Sequence, residues 1–198
     1  MNYGFVKAMQ AAWCRETCWE GCTDEYDAAE NPAEGQCLVT TLAAWADNGF
    51  ADYLQTVLVQ ADVHPPRPPV WHFNLHHSRL GLYEFDIDPT SQQFPRGSRY
   101  ATVSRVSIAS RQHHEIVYGS LFEPQAAASL ERRLTLFLSR MENPGGYKIN
   151  TSAADILARA EQYFDYVREW ALREERPVKE AQHLYHPEQT PSVPAPAL

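Results

Sequence analysis

The stretch Asn31-Pro32-Ala33-Glu34-Gly35-Gln36-Cys37 limits more than any other how this chain can fold. Asn-Pro and Gly form turns, and here they run straight into Leu38-Val39-Thr40-Thr41-Leu42-Ala43-Ala44-Trp45, an apolar pattern of helical period. The spacing predicts a helix over 38–48 that begins at or next to Cys37 and stops at Asn48-Gly49. Leu38, Leu42 and Trp45 fall on one side, with Val39, Ala43 and Ala46 beside them. A face that wide belongs to a buried helix. At its N-terminus, unpaired backbone N–H groups and the positive end of the helix dipole favour thiolate over thiol, so Cys37 is a candidate nucleophile. The competing reading is an inert, packed thiol, because free cysteine behaves in a core as a small hydrophobe.

A chain of 198 residues supports one substantial core. Its net charge of -8 disfavours a nucleic-acid surface. No apolar run reaches the roughly twenty residues of a membrane span, and the N-terminus lacks the basic-then-apolar layout of a signal peptide. The expectation is a cytoplasmic protein with no membrane partner. Cys14, Cys18, Cys22 and Cys37 are then expected as reduced thiols.

Along the chain, Phe5, Met9, Ala12 and Trp13 predict a first helix that runs on through Cys14, Cys18 and Cys22, whose spacing of four would set them on one stripe. Without a second close-set pair, that stripe reads as a packed face rather than a metal site. Tyr53–Val63 predicts a strand, followed by the stiff Pro65, Pro66, Pro68 and Pro69. Val70–His76 alternates as a second strand, with His72, Asn74 and His76 on one face and Trp71, Phe73 and Leu75 on the other. Leu82–Asp88 completes a hairpin, and Tyr100–Ile108 and Glu115–Phe122 predict further strands. Helices follow at 126–141 and from Thr151 or Ser152 to Arg176. The expected class is α+β, a nucleophile-bearing helix packed on an antiparallel sheet of four or five strands. Residues 1–145 form the expected main domain, 146–186 a helical extension packed on it, and 187–198 a disordered proline-rich tail.

Three pieces of the chain resemble the YunG-like family of small bacterial proteins. They are Ala12-Trp13 with Thr17-Cys18, Asn31-Pro32 to Gly35-Gln36-Cys37 with Val39-Thr40, and Asp88-Pro89-Thr90-Ser91-Gln92-Gln93-Phe94. The last is similar to the family's Asp-Leu-Thr-x-x-Gln-Phe, which follows a His-Tyr-Trp-Asn strand. The resemblance implies a Cys, His, Asp order of papain-like arrangement, carried here by Cys37, His72 and Asp88. Trp71-His72-Phe73-Asn74 has one residue fewer between His and Asn than the family pattern, which leaves the base position open between His72 and Trp71.

A thiolate nucleophile needs a proton acceptor, and an imidazole base needs a third group to hold its tautomer. Gln36 and Asn31 could donate to an oxyanion or merely brace the loop, and Asn74 could orient a ring or close a turn. His76, His77 and His113-His114 receive no role. Two functions are consistent with these residues. One is a cysteine-dependent amidohydrolase or acyltransferase that needs no cofactor or metal and acts on a small-molecule or peptide amide. The other is a non-catalytic binding or regulatory module that dimerises through its C-terminal helix.

Overall fold

The computed structural model describes residues 2–59, 70–79, 83–94 and 119–173. The first helix, α1, spans Tyr3–Ala12, its N-terminus capped by the Asn2 carboxamide, which accepts from the Gly4 N–H at 2.8 Å. Phe5, Ala8, Met9 and Ala12 form its buried stripe. The helix does not continue to Cys22. Trp13 turns into extended backbone, and two single-turn 3-10 segments follow at Arg15–Thr17 and Glu20–Cys22. Thr17 drives the break, because its hydroxyl accepts from the Cys14 N–H at 3.0 Å and donates to the Cys14 carbonyl at 3.0 Å. Such local side-chain bonds offer the backbone an alternative to helix. Cys14, Cys18 and Cys22 therefore share no helical stripe.

Helix α2, Cys37–Asp47, is the centre of the molecule, and every residue from Leu38 to Ala46 is buried. Even its polar positions find partners in the interior. Thr40 accepts from the Trp13 indole N–H at 3.0 Å, and Thr41 donates to the Phe73 carbonyl at 3.1 Å. At its C-terminus Gly49 and Phe50 both take positive φ, 64° and 61°, so that the Phe50 N–H returns to the Trp45 carbonyl at 2.8 Å. The Phe50 ring then closes edge-on against Trp45.

Three strands follow: β1 (Tyr53–Val59), β2 (Val70–Arg79) and β3 (Tyr83–Ile87). They form an antiparallel sheet in the order β1-β2-β3, with Val57 opposite His72 and Leu75 opposite Ile87. As the central strand, β2 buries side chains of both parities from His72 through His76. Helix α3, Pro124–Glu142, opens with proline at its first position, where no backbone N–H is missed, and buries Leu130, Leu134, Phe137 and Met141. Helix α4, Ala153–Arg173, is capped by Ser152, whose hydroxyl accepts from the Asp155 N–H at 3.1 Å. Its Ile156, Leu157, Ala160 and Phe164 join the same core as α1, α2 and α3. No helix among the described residues is long and apolar enough to cross a membrane.

The expected architecture needs correction. Four helices dominate the described residues, and an antiparallel sheet of four or five strands is not seen; three strands are present. Of the strand expected at Glu115–Phe122, the described part, Gly119–Phe122, is a 3-10 turn. It leads into α3, and its Leu121 is buried in the helical core. The strand expected at Tyr100–Ile108, the Pro65–Pro69 connection, His113-His114 and the tail from Pro187 lie outside the described residues.

Candidate functional site

Cys37 is the first residue of α2, half-buried, on a helix whose N-terminus has no side-chain cap. The turn before it is held from below. The Gln36 side chain is fully buried, its amide nitrogen donating to the Cys14 carbonyl at 2.7 Å and its oxygen accepting from the Thr17 hydroxyl at 2.9 Å. Gln36 thus braces the loop, with both ends of its amide engaged away from the thiol. The first-turn N–H groups of α2, which have no partner within the helix, are the donors nearest in sequence to Cys37.

His72 lies on β2, with only 1% of its surface exposed. Its Nε2 is 2.9 Å from Asp88 Oδ2, although neither atom has a well-aligned hydrogen-bond partner, so charge attraction rather than an in-line bond joins them. The other carboxylate oxygen of Asp88 accepts from the Thr90 N–H at 2.9 Å and from the Thr90 hydroxyl at 3.2 Å. Gln93 completes the ring of contacts. Its amide nitrogen lies 2.8 Å from His72 Nδ1 and donates to the Thr90 hydroxyl at 3.1 Å. Phe94 meets the imidazole edge-on, with the ring centres 5.1 Å apart.

Burial alone would drive the imidazole towards its neutral form, and it is the largest single influence on the ring. The nearby Asp88 carboxylate and Cys37 thiol, both favouring the charged ring, together outweigh it, raising the His72 pKa from 6.5 to about 9. The imidazole therefore senses both the Cys37 thiol and the Asp88 carboxylate. Of the two positions left open by the strand pattern, His72 has a ring that meets Asp88; the side chain of Trp71 lies outside the described residues.

Of the remaining expected residues, Asn31 donates its amide to the Gln93 carbonyl at 2.8 Å and so ties the turn before Cys37 to the segment that carries Gln93. Asn74 is buried on β2 opposite Gln55, and its carbonyl oxygen has no partner among the described residues. His77 pairs with Asp52, and His76 is buried rather than solvated. Thr90, Gln93 and Phe94 were given no role from the sequence. The signal was present in the Asp-x-Thr-x-x-Gln-Phe spacing of residues 88–94, where each specified position either touches His72 or holds a residue that does.

The family model described as YunG protein matches residues 3–123, more than half of the chain. No curated protein and no solved structure matches it.

Proposed function

For this chain, which belongs to the YunG family, we propose a cysteine-dependent hydrolase that acts on an amide or acyl carbon through a thioester. The observation that carries the reading is His72, held between Asp88 and the Gln93 amide and coupled to a cysteine on an uncapped helix N-terminus. A buried, protonated imidazole held this way suits a partner for a thiolate and a proton donor to the leaving group, with a fixed orientation.

His72 is protonated at neutral pH, so the attacking species is the Cys37 thiolate paired with it; its sulfur attacks the carbonyl carbon, and the carbonyl electron pair moves onto oxygen. The Cys37 backbone N–H faces that developing charge, with the helix dipole adding to it. Collapse of the adduct expels the leaving group, which takes the proton from His72 and leaves the acyl group on sulfur. Water then gives a proton to His72 and attacks the thioester carbon. Loss of the thiolate frees the acid and restores the starting pair. Asp88 stabilises the imidazolium throughout, while Thr90 and Gln93 hold the carboxylate and the ring. A reduced Cys37 suits a cytoplasmic setting.

The test is iodoacetamide labelling of each cysteine across pH, read by mass spectrometry on the wild type and His72→Ala, together with a search for an acyl adduct after exposure to an activated aryl ester. Cys37 should label rapidly at neutral pH, slow at least tenfold in His72→Ala, and carry the acyl group. Labelling at Cys37 that is indifferent to His72, with no adduct formed, would replace the hydrolase with a binding module.

A further inference from the structure

Cys18 and Cys22 lie outside this mechanism, yet they crowd one point beneath the turn that precedes Cys37. Gly35 marks that point. A Cβ built on it would lie 2.5 Å from the Cys18 sulfur and 3.1 Å from the Cys22 Cβ. The two cysteines differ in their surroundings. Cys18 is buried, its thiol donating to the Glu34 carbonyl at 3.2 Å, whereas Cys22 is half-exposed. Cys14 is differently engaged, with its sulfur 3.5 Å from the Thr17 hydroxyl.

We infer that Cys18 and Cys22 are a redox modification site, an accessible peroxide-reactive thiol backed by a buried resolving thiol, which closes reversibly to an intramolecular disulfide. Their electrostatics fit this division. The hydrogen bond between the two thiols is the main influence on each, raising the pKa of Cys18 and lowering that of Cys22. Cys22 is thus the sulfur that ionises and Cys18 the one that keeps its proton. A lowered pKa, solvent access and an adjacent thiol are what a peroxide-sensing cysteine requires.

The oxidant is a hydroperoxide. The Cys22 thiolate attacks the outer peroxide oxygen, and the O–O bond breaks. The departing oxygen takes a proton from solvent, equal to the one Cys22 released on ionising, and leaves as an alcohol, or as water from hydrogen peroxide, with Cys22 oxidised to the sulfenic acid. The Cys18 sulfur then attacks the Cys22 sulfur. The S–O bond breaks, and hydroxide leaves as water with the Cys18 proton. Two thiols have lost two electrons, and one hydroperoxide has been reduced. Closure draws the Cys18 sulfur away from the Glu34 carbonyl and so loosens the Glu34–Gly35 turn that leads to Cys37.

The experiment exposes the folded, fully reduced chain to hydrogen peroxide at equimolar concentration and maps the products by peptide mass spectrometry, with and without dithiothreitol. Using Cys37→Ser as the parent keeps the result independent of the hydrolase reading. A Cys18–Cys22 bridge should be the main product, be reversed by dithiothreitol, and be lost in Cys22→Ser with Cys18 left reduced. Dimedone added with the peroxide should trap the sulfenic acid on Cys22, which tests the order of steps without altering the buried Cys18. A bridge to Cys14, dimedone capture at Cys18, or a Cys22 that stays reduced until the chain is unfolded would each overturn the inference.

Discussion

The Gln93 side-chain amide nitrogen lies 2.8 Å from Nδ1 of His72 and also donates to the Thr90 hydroxyl, which in turn donates to Asp88. Because Asp88 meets the opposite ring nitrogen, the side chains of Gln93, Thr90 and Asp88 close a circuit through the His72 imidazole. An amide N–H directed at Nδ1 bonds only the neutral ring, so a bond of that kind from Gln93 works against the protonation that Asp88 and Cys37 favour.

Removing that donor should therefore raise the His72 pKa further. A hydrogen bond of about 0.5 to 1.5 kcal/mol corresponds to roughly half to one pKa unit. In Gln93→Ala, the His72 imidazole resonances followed by NMR should titrate above the wild-type midpoint by about that amount. A downward shift would show that the carboxamide oxygen, not the nitrogen, faces Nδ1.

The raised pKa also fixes how stability depends on pH. The folded-state value of about 9 exceeds the ordinary histidine value of 6.5, so folding favours the protonated ring. The resulting stabilisation is fully present below pH 6.5 and is lost as pH rises through about 9. Its size is on the order of 3 kcal/mol. Asp88→Asn removes the charge and leaves burial unopposed apart from Cys37, so the imidazole pKa should fall and this loss between neutral and alkaline pH should largely vanish. Urea unfolding of both proteins from pH 6 to pH 10 measures it. An Asp88→Asn profile as steep as that of the wild type would remove Asp88 from the coupling.

The helix at Cys37 was legible in the sequence because a turn followed by a continuous apolar helical period leaves few alternatives, as the burial from Leu38 to Ala46 bears out. The alternation of His72, Asn74 and His76 marked β2 as a strand, but all three are buried, since a central strand covered on both faces has no solvent side. The extension of α1 failed at Thr17, whose effect on the backbone is local chemistry that periodicity ignores. Asp88 was legible as a partner of His72, whereas Gln93 reaches His72 only because the Ser91–Gln93 turn folds its amide back towards the strand. Sequence spacing alone says nothing about that reversal. Gln36 illustrates the opposite case. Its place beside Cys37 suggested a donor to the reaction, yet the broken helix beneath it supplies the Cys14 carbonyl and Thr17 hydroxyl that engage its amide.

Gly35 joins the two halves of this site, and its replacement should be costly for two separate reasons. Its φ of +65° is a conformation that disfavours a side chain by about 1 to 2 kcal/mol. A methyl group there would also lie 2.5 Å from the buried Cys18 sulfur and 3.1 Å from the Trp19 nitrogen, which donates to the Gly35 carbonyl at 2.8 Å. The sulfur is packed and the backbone pinned, so neither yields freely. Gly35→Ala should lower unfolding free energy by at least about 2 kcal/mol, combining the backbone penalty with overpacking. Gly35→Ala combined with Cys18→Ala removes the sulfur that the methyl group meets. In denaturant unfolding, the glycine substitution should then cost about 1 kcal/mol less in the Cys18→Ala background than in the wild type, the strain recovered when overpacking is relieved. An equal cost in both backgrounds would show that backbone conformation alone, and not packing against Cys18, requires the glycine.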